Sequence, residues 1–131
     1  KLDVGLAIVD KRRPSPGKSQ VMNVIGNVNN KVCILIDDII DSGGTIINAA
    51  HALLRRGAKE VHVYATHGVF SGDAVKNIRN SKIKNLVITD SIDSSDKFKK
   101  VRNIEILSIS VLLAEAIKRI SNSTSVSDLF K

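Results

Sequence analysis

Short apolar runs alternate along the chain with segments whose apolar residues recur at helical spacing. The apolar runs predict strands at 4–9, 20–25, 32–36, 61–65, 86–89 and 104–109. The periodic segments predict helices at 45–56, 73–79 and 110–120. Strands that alternate with helices favour right-handed crossovers and a parallel sheet, so we predict an α/β fold.

The two longer helices are amphipathic. In the helix at 45–56, we expect Thr45 to cap the start and Gly57 to end the helix in a left-handed conformation. The predicted core-facing residues are Ile46, Ala50, Leu53 and Leu54 in the first of these helices, and Leu113, Ala116, Ile117 and Ile120 in the other. The segment 11–19, "HGVFSG" and the polar stretch 91–102 are expected to be loops, the last of them mobile.

Composition indicates one domain with an aliphatic core. Hydrophobic residues make up 43% of the 131 residues, whereas aromatic residues make up only 3%. The single cysteine, Cys33, cannot form an intrachain disulfide, which is typical of a cytoplasmic protein. No apolar run approaches the roughly 18 residues of a membrane span. Because the chain opens on "KLDVGLAIV" without a methionine, we expect 1–131 to be the C-terminal domain of a longer protein whose N-terminal half is absent.

The formal net charge of +7 favours anionic partners. The basic residues are scattered apart from "KRR" at 11–13 and "KFKKVR" at 97–102, and we interpret the second cluster as solvated. No basic stripe is interleaved with aromatic residues, so nucleic acid is not the favoured partner.

The most informative stretch is "VCILIDDIIDSGGT" at 32–45, where a strand leads into a helix. Ligands of parallel α/β sheets bind beyond the carboxyl ends of the strands, and the first N–H groups of a helix can receive a phosphate. Gly43 and Gly44 let the backbone approach an anion, and Ser42 and Thr45 add hydroxyl donors.

Three carboxylates beside an anion site need a second explanation. Asp37, Asp38 and Asp41 repel a bare phosphate but suit vicinal hydroxyl groups or Mg²⁺. A ligand with a phosphate at one end and hydroxyls at the other is a sugar phosphate. Each single aspartate is explained equally well as a turn or cap residue, but two acids ahead of the turn are not.

"DDIIDSGGT" resembles the phosphoribosyl-pyrophosphate motif of type I phosphoribosyltransferases. "GLAIVDKRRP", "ATHGVFSG" and "SVSDLF" accompany it in the order found in the ribose-phosphate pyrophosphokinase family, so the resemblance covers nearly the whole chain. It implies a three-layer, Rossmann-like phosphoribosyltransferase domain. The family moves diphosphate from Mg-ATP to the C1 hydroxyl of ribose 5-phosphate.

The resemblance also implies roles for individual residues. Ser42, Gly43, Gly44 and Thr45 would hold the 5-phosphate, with Ser42 standing where the family usually has threonine. Asp37 and Asp41 would hold the ribose hydroxyls, with Asp38 beside them. Lys11 and Arg13 match the family's catalytic loop, and long cations there would stabilise the charge of the moving phosphates.

"SVSDLF" at 125–130 matches a part of the family that helps to form a regulatory phosphate or ADP site between subunits. Ser125, Val126 and Ser127 would then face an anion and Phe130 would stack on a base. A plain alternative is a helix start with a serine cap and with Leu129 and Phe130 docked in the core.

Several expectations concern what lies beyond these motifs. His67 is excluded from the catalytic set, because a lone loop histidine is more often structural. We predict no metal cluster in this chain; the Mg²⁺ ligands and most ATP contacts are expected in the missing half, and the complete protein is expected to be a homohexamer. Alternatives are a phosphoribosyltransferase, or a non-catalytic regulatory or RNA-binding homologue.

Overall fold

The computed structural model describes residues 3–12, 21–98 and 101–130. The strands are β1 (Ile8–Arg12), β2 (Val21–Ile25), β3 (Val32–Ile40), β4 (Glu60–Gly68), β5 (Asn85–Thr89) and β6 (Ile104–Leu107). The helices are α1 (Gly44–Arg55), α2 (Ala74–Arg79) and α3 (Ser110–Ser121), and there are 3₁₀ turns at Ser95–Lys97 and Ser127–Phe130.

Strands β3 to β6 form a parallel sheet in the order β3-β4-β5-β6. The predicted α/β class with a parallel sheet is therefore confirmed. Strands β1 and β2 form a separate antiparallel pair, from Ile8 opposite Ile25 to Arg12 opposite Val21. This pair was not predicted, because periodicity marks strands but does not indicate their partners.

The core lies between one face of the sheet and α1. Val61, Val63 and Leu86 are fully buried in the sheet. The predicted apolar face of α1 is confirmed, since Ile46, Ala50 and Leu53 are buried and Leu54 is half-buried. The buried side chains are mainly aliphatic, as the composition indicates. The buried Phe70 and Phe98 meet edge to face with ring centroids 5.4 Å apart. Phe98 therefore anchors residues 91–98, the described part before the gap of the polar stretch 91–102, and the expected mobility of that stretch stays a prediction.

The start of β1 and the end of β3 differ from the predicted strand boundaries. The predicted buried strand at 4–9 is wrong in its first part: Val4 and Leu6 are exposed, and β1 begins only at Ile8. Strand β3 runs on to Ile40, because its ladder with β4 continues to the pair Ile40 and Gly68. Asp37 and Asp38 therefore lie within β3, and the predicted "HGVFSG" loop begins inside β4.

The start of α1 also differs from the prediction. Gly43 occupies the N-cap position at φ 77°, and no side chain caps the helix. Thr45 is the second residue of the helix, so its predicted capping role is wrong. The left-handed turn at Gly43 starts the helix, so the Thr45 hydroxyl does not cap it. At the other end Gly57 has φ 88° directly after the C-cap Arg56, as predicted.

Much apolar surface is uncovered in the described part of the chain. The second face of the sheet exposes Val32, Ile34, Ile36 and Tyr64. Helix α3 was predicted correctly, but none of its residues is buried. Its apolar side stands in solvent because no described element packs over it. None of the helices in the described ranges is long and apolar enough to cross a membrane.

Asp90 joins the end of β5 to the start of α3. Its carboxylate accepts hydrogen bonds from the Ser108 hydroxyl and from the Ile109 N–H, the latter at 2.9 Å. These donors, the Ser108 hydroxyl first, hold the pKa of Asp90 below its ordinary value. A carboxylate with a lowered pKa in the folded state contributes stability above its unfolded pKa of about 3.9 and loses it as the pH falls through the folded pKa.

We therefore expect Asp90→Asn to lower the free energy of unfolding at pH 7 and to flatten its decline below about pH 4. Urea unfolding between pH 7 and pH 3 measures both effects. Asp3→Asn, an exposed aspartate near the start of the described chain, is the matched control. Equal acid sensitivity of the Asp90→Asn variant and the parent chain would refute the role of this carboxylate.

Candidate functional site

The acidic-glycine stretch lies where β3 passes into α1, at the carboxyl edge of the sheet. It surrounds an open cavity of about 390 Å³. The cavity is lined by Asp37, Ile39, Ile40, Asp41, Ser42, Gly43, Thr45 and Ile46. The structure thus brings five of the seven predicted binding residues together, whereas Asp38 and Gly44 are neighbours in the chain that do not line the cavity.

Helix α1 presents donors to this cavity. Its first internal hydrogen bond joins the Ile47 N–H to the Gly43 carbonyl at 3.1 Å. The N–H groups of the preceding helical residues have no partner within the helix, and no side chain caps them. They carry the positive end of the helix dipole, so this end of the cavity suits an anion.

Two carboxylate side chains, those of Asp37 and Asp41, line the same cavity. Asp37 is half-buried, and its Oδ1 accepts a hydrogen bond from the Asp38 N–H at 2.9 Å. Partial burial is the main cause that raises the pKa of Asp37, and the neighbouring Asp38 carboxylate adds to the increase. Asp41 is exposed at the rim. The cavity therefore combines carboxylate acceptors with the N–H donors at the start of α1.

The loop after β4 holds the acidic-glycine stretch in place. The Ile40 carbonyl accepts hydrogen bonds from the N–H groups of Val69 and Phe70, at 2.9 and 3.2 Å. The Asp41 carbonyl accepts one from the Ser71 N–H at 3.0 Å. These bonds fix the backbone on both sides of the Asp41 side chain. The sequence gives no sign of them, because the partners lie about thirty positions apart.

Ile78 of α2 lies directly behind the glycine turn. A Cβ added to Gly43 would lie 3.2 Å from Ile78 Cδ1 and 3.3 Å from Cγ1. Ile78 is fully buried, so it has little room to withdraw. It was missed in the sequence because an isoleucine on a short helix has no signal that distinguishes a site wall from ordinary core.

The predicted catalytic residues are only partly placed. Lys11 lies in β1 opposite Met22, and Arg13 falls outside the described residues. The β1–β2 pair borders the acidic site, because a second cavity of about 420 Å³ lies between this pair, β3 and α1. Its lining includes Ile8, Met22, Asp37 and Thr45. Lys11 thus belongs to an element that flanks Asp37.

The segment at 125–130 is fastened to α3 by Arg119. Its guanidinium donates to Glu115 at 2.9 Å and to the Ser125 carbonyl at 2.9 Å, and it lies 3.6 Å from the Asp128 carboxylate. The hydroxyls of Ser125 and Ser127 are 2.6 Å apart and exposed. Phe130 is 73% exposed, so the alternative that docks this ring in the core is wrong.

Fold and site together define an α/β domain that offers carboxylates and free helix N–H groups to one ligand. A family model for the phosphoribosyl synthetase-associated domain matches residues 7–131. The chain belongs to this family.

The most similar curated proteins include a ribose-phosphate pyrophosphokinase of Rhizobium meliloti, 58% identical over 130 residues. This match covers 99% of the chain and 42% of the relative. The ribose-phosphate pyrophosphokinase of Buchnera aphidicola is 54% identical over 129 residues, which are 98% of the chain and 41% of the relative. The chain spans about two fifths of the length of these relatives.

A solved structure of a related protein has a similar fold. The crystal structure of phosphoribosylpyrophosphate synthetase from Mycobacterium smegmatis is similar to the chain with a TM-score of 0.73 and 36% identity. The similarity covers 79% of this chain and 34% of that one.

A bound Mg²⁺ is implied by the family, and the described residues do not fit a complete site for it. Among them, no three histidine, cysteine or carboxylate side chains are grouped so that they could hold a metal ion.

Proposed function

We propose that this chain carries the ribose-5-phosphate site of a ribose-phosphate pyrophosphokinase. The observation that carries the proposal is the cavity at 37–46, which joins carboxylates to free helix N–H groups in a chain 58% identical to a curated enzyme of that name. The reaction proposed for the full-length gene product is the transfer of diphosphate from ATP to ribose 5-phosphate.

Each end of the ligand has chemically matched partners in this proposal. The 5-phosphate accepts hydrogen bonds from the first N–H groups of α1, at Thr45 in the cavity wall and at Gly44 beside it, and from the Ser42 hydroxyl. The ribose hydroxyls donate to the carboxylates of Asp37 and Asp41, and Asp38 adds negative charge beside them. Gly43 supplies the left-handed turn, at φ 77°, that directs the chain into the start of α1.

The transfer step is a displacement at phosphorus. The C1 hydroxyl oxygen forms a bond to the β-phosphorus of ATP, the bond from that phosphorus to the α-phosphate oxygen breaks, and AMP leaves while the hydroxyl proton passes to solvent. In the proposal Lys11 and Arg13 lie against the moving phosphates and stabilise their charge. Mg²⁺, with ligands proposed outside the described residues, would accompany ATP.

A regulatory role is proposed for the end of the chain. The paired hydroxyls of Ser125 and Ser127 suit an anion such as phosphate, and the exposed ring of Phe130 suits the base of ADP. Val126 lies between the two serines. If the proposal is right, Ser127→Ala in the full-length gene product will shift the phosphate dose-response of the activity and leave the activity without phosphate unchanged.

We also propose that the full-length gene product is a cytoplasmic homo-oligomer, with a hexamer as the expected state. The exposed apolar residues on the second sheet face and on α3 support association, because patches of this kind usually mark interfaces. Light scattering measures the state directly, and a monomer at micromolar concentration would contradict the proposal.

Two measurements test the main proposal. Calorimetry of this chain should show tighter binding of ribose 5-phosphate than of ribose or inorganic phosphate, because only the first ligand engages both ends of the cavity. The full-length gene product should form AMP from ATP only when ribose 5-phosphate is present. No binding together with no AMP would overturn the proposal, and diphosphate release with a nucleobase would instead indicate a phosphoribosyltransferase.

A further inference from the structure

A hydrogen-bond network at the carboxyl edge of the sheet holds His67 in one orientation. Its Nδ1 lies 2.8 Å from the Ser91 hydroxyl oxygen, which lies 2.9 Å from the Thr66 carbonyl oxygen. The Thr89 hydroxyl donates to the same carbonyl at 2.8 Å and accepts from the Ser91 N–H at 3.2 Å. Side chains from β4, from β5 and from the turn after β5 are thereby joined at one backbone carbonyl.

The contacts of this network favour one tautomer of the His67 ring. The Thr66 carbonyl can only accept, so the single hydroxyl proton of Ser91 lies towards it. The contact from His67 Nδ1 to the same hydroxyl oxygen then needs its own proton, which only the ring can supply. Both contacts of the Ser91 hydroxyl oxygen, with His67 Nδ1 and with the Thr66 carbonyl, are then hydrogen bonds only when Nδ1 carries a proton. In the neutral ring, Nε2 is therefore left with a free lone pair.

The ring lies next to the proposed sugar site. His67 pairs with Ile39 across the parallel ladder, and Ile39 lines the cavity between Asp37 and Asp41. Neighbouring strands are about 4.8 Å apart, so the backbone of His67 is within one side-chain length of the cavity wall. His67 is exposed, and a ligand that projects from the cavity over the strand ends can reach it.

The free lone pair of His67 Nε2 can form a hydrogen bond only with a donor group of the ligand. A phosphate dianion has only acceptor oxygens and is repelled by the lone pair of neutral Nε2, whereas a hydroxyl can donate to it. Building on the ribose-5-phosphate site proposed above, we propose that His67 is a substrate-binding residue whose Nε2 accepts a hydrogen bond from a ribose hydroxyl. Ser91 is the positioning residue that keeps Nε2 unprotonated.

The proposal predicts a specific pattern among His67 variants of the full-length gene product. His67→Asn keeps a donor near the Nδ1 position but lacks the distal acceptor, so the KM for ribose 5-phosphate should rise by about tenfold, the upper end for one neutral hydrogen bond. The kcat and the KM for ATP should change little. His67→Gln places an amide oxygen near the Nε2 position and should restore most of the affinity. Ser91→Ala should give a smaller increase.

His62→Asn is the matched control, because His62 lies on the same strand and its ring already contacts Glu60 at 3.3 Å. It should leave the KM unchanged. Nitrogen NMR of the histidine ring should show the Nδ1-protonated form of neutral His67, and the Nε2-protonated form would overturn the proposal. An unchanged KM in His67→Asn, or equal losses in the Asn and Gln variants, would also overturn it. If the parent protein binds no ribose 5-phosphate, the proposed function fails and this inference fails with it.

Discussion

Asp41→Asn is expected to weaken ribose 5-phosphate binding by about 10- to 100-fold. A charge-assisted hydrogen bond is worth about 1.5–3 kcal/mol, and each 1.4 kcal/mol corresponds to about a tenfold change in affinity. The asparagine keeps the shape of the aspartate but turns a donor group towards the ribose hydroxyls. Asp37→Asn/Asp41→Asn should lose more than either single variant.

The same substitutions should affect folding in a different way. Because burial raises the pKa of Asp37, its charged form costs folding energy above that pKa, and the cost disappears as the pH falls below it. Asp37→Asn should therefore leave the free energy of unfolding at neutral pH unchanged or slightly higher. This dependence on pH is opposite in sign to that of Asp90. A residue whose charge is unfavourable for folding and favourable for binding is typical of a functional site.

Calorimetry with ribose 5-phosphate and urea unfolding of the same samples separate the two effects. Asp73→Asn, which removes an exposed carboxylate from the N-cap of α2, is the control for net charge. Affinity that is unchanged in Asp41→Asn would rule out the assignment of the hydroxyl end of the cavity. Parallel losses of affinity and stability in Asp37→Asn, Asp41→Asn and Asp73→Asn would show a general effect of charge on the fold.

The position of the candidate site in the fold was predictable because its main residues are contiguous. From Asp37 to Thr45 the chain itself brings the acids, the glycines and the helix start together, so no long-range contact is needed to place them. The mistaken detail was local: Thr45 was expected to cap α1, but the left-handed Gly43 starts the helix. Propensity favours a hydroxyl residue at the cap, whereas the glycine turn moves that position two residues earlier.

The residues that sequence reasoning missed lie near the site through long-range contacts. Ser91 meets His67 across 24 positions, and Ile78 supports Gly43 from a different helix. His67 was left out of the catalytic set as a lone loop histidine, and its strand was expected to end at Ala65. The parallel ladder extends β4 to Gly68 and places His67 beside Ile39, which no local pattern could have indicated.

Burial was predicted well for α1 and poorly for α3, although both helices are amphipathic. Amphipathicity indicates that a helix has a face to cover, but the covering surface is supplied by other parts of the structure. For α1 the sheet provides it. For α3 the described residues do not, and Ile117 is 67% exposed.

Gly43→Ala is expected to damage the site through two separate causes. The left-handed conformation at φ 77° costs a residue with a side chain about 1–2 kcal/mol. The new methyl group would also lie 3.2 Å from Ile78 Cδ1, so the glycine turn or α2 must move. Since the N–H groups at the start of α1 lie directly after this turn, we expect ribose 5-phosphate affinity to fall at least tenfold, the loss of one or two phosphate hydrogen bonds.

Two further variants separate these causes. Gly72→Ala has a similar positive φ of 55° with open space around the new Cβ, so it reports the backbone cost alone. Ile78→Val removes the Cδ1 atom and costs about 0.5–1.5 kcal/mol in the core by itself. The double variant Gly43→Ala/Ile78→Val should lose less unfolding free energy than the sum of the two single losses, because the shortened side chain makes room for the methyl group.

Ligand binding shows whether the coupling between Gly43 and Ile78 affects the site as well as the stability of the chain. If α2 supports the anion end of the site, Ile78→Val should recover part of the affinity that Gly43→Ala loses, even though the two substitutions each destabilise the chain. Calorimetry with ribose 5-phosphate measures this recovery, and unfolding by urea provides the stability of the same four proteins. Full affinity in Gly43→Ala would exclude the glycine turn as the phosphate site. Additive losses of affinity would show that Ile78 fills the core behind the turn without influencing the ligand.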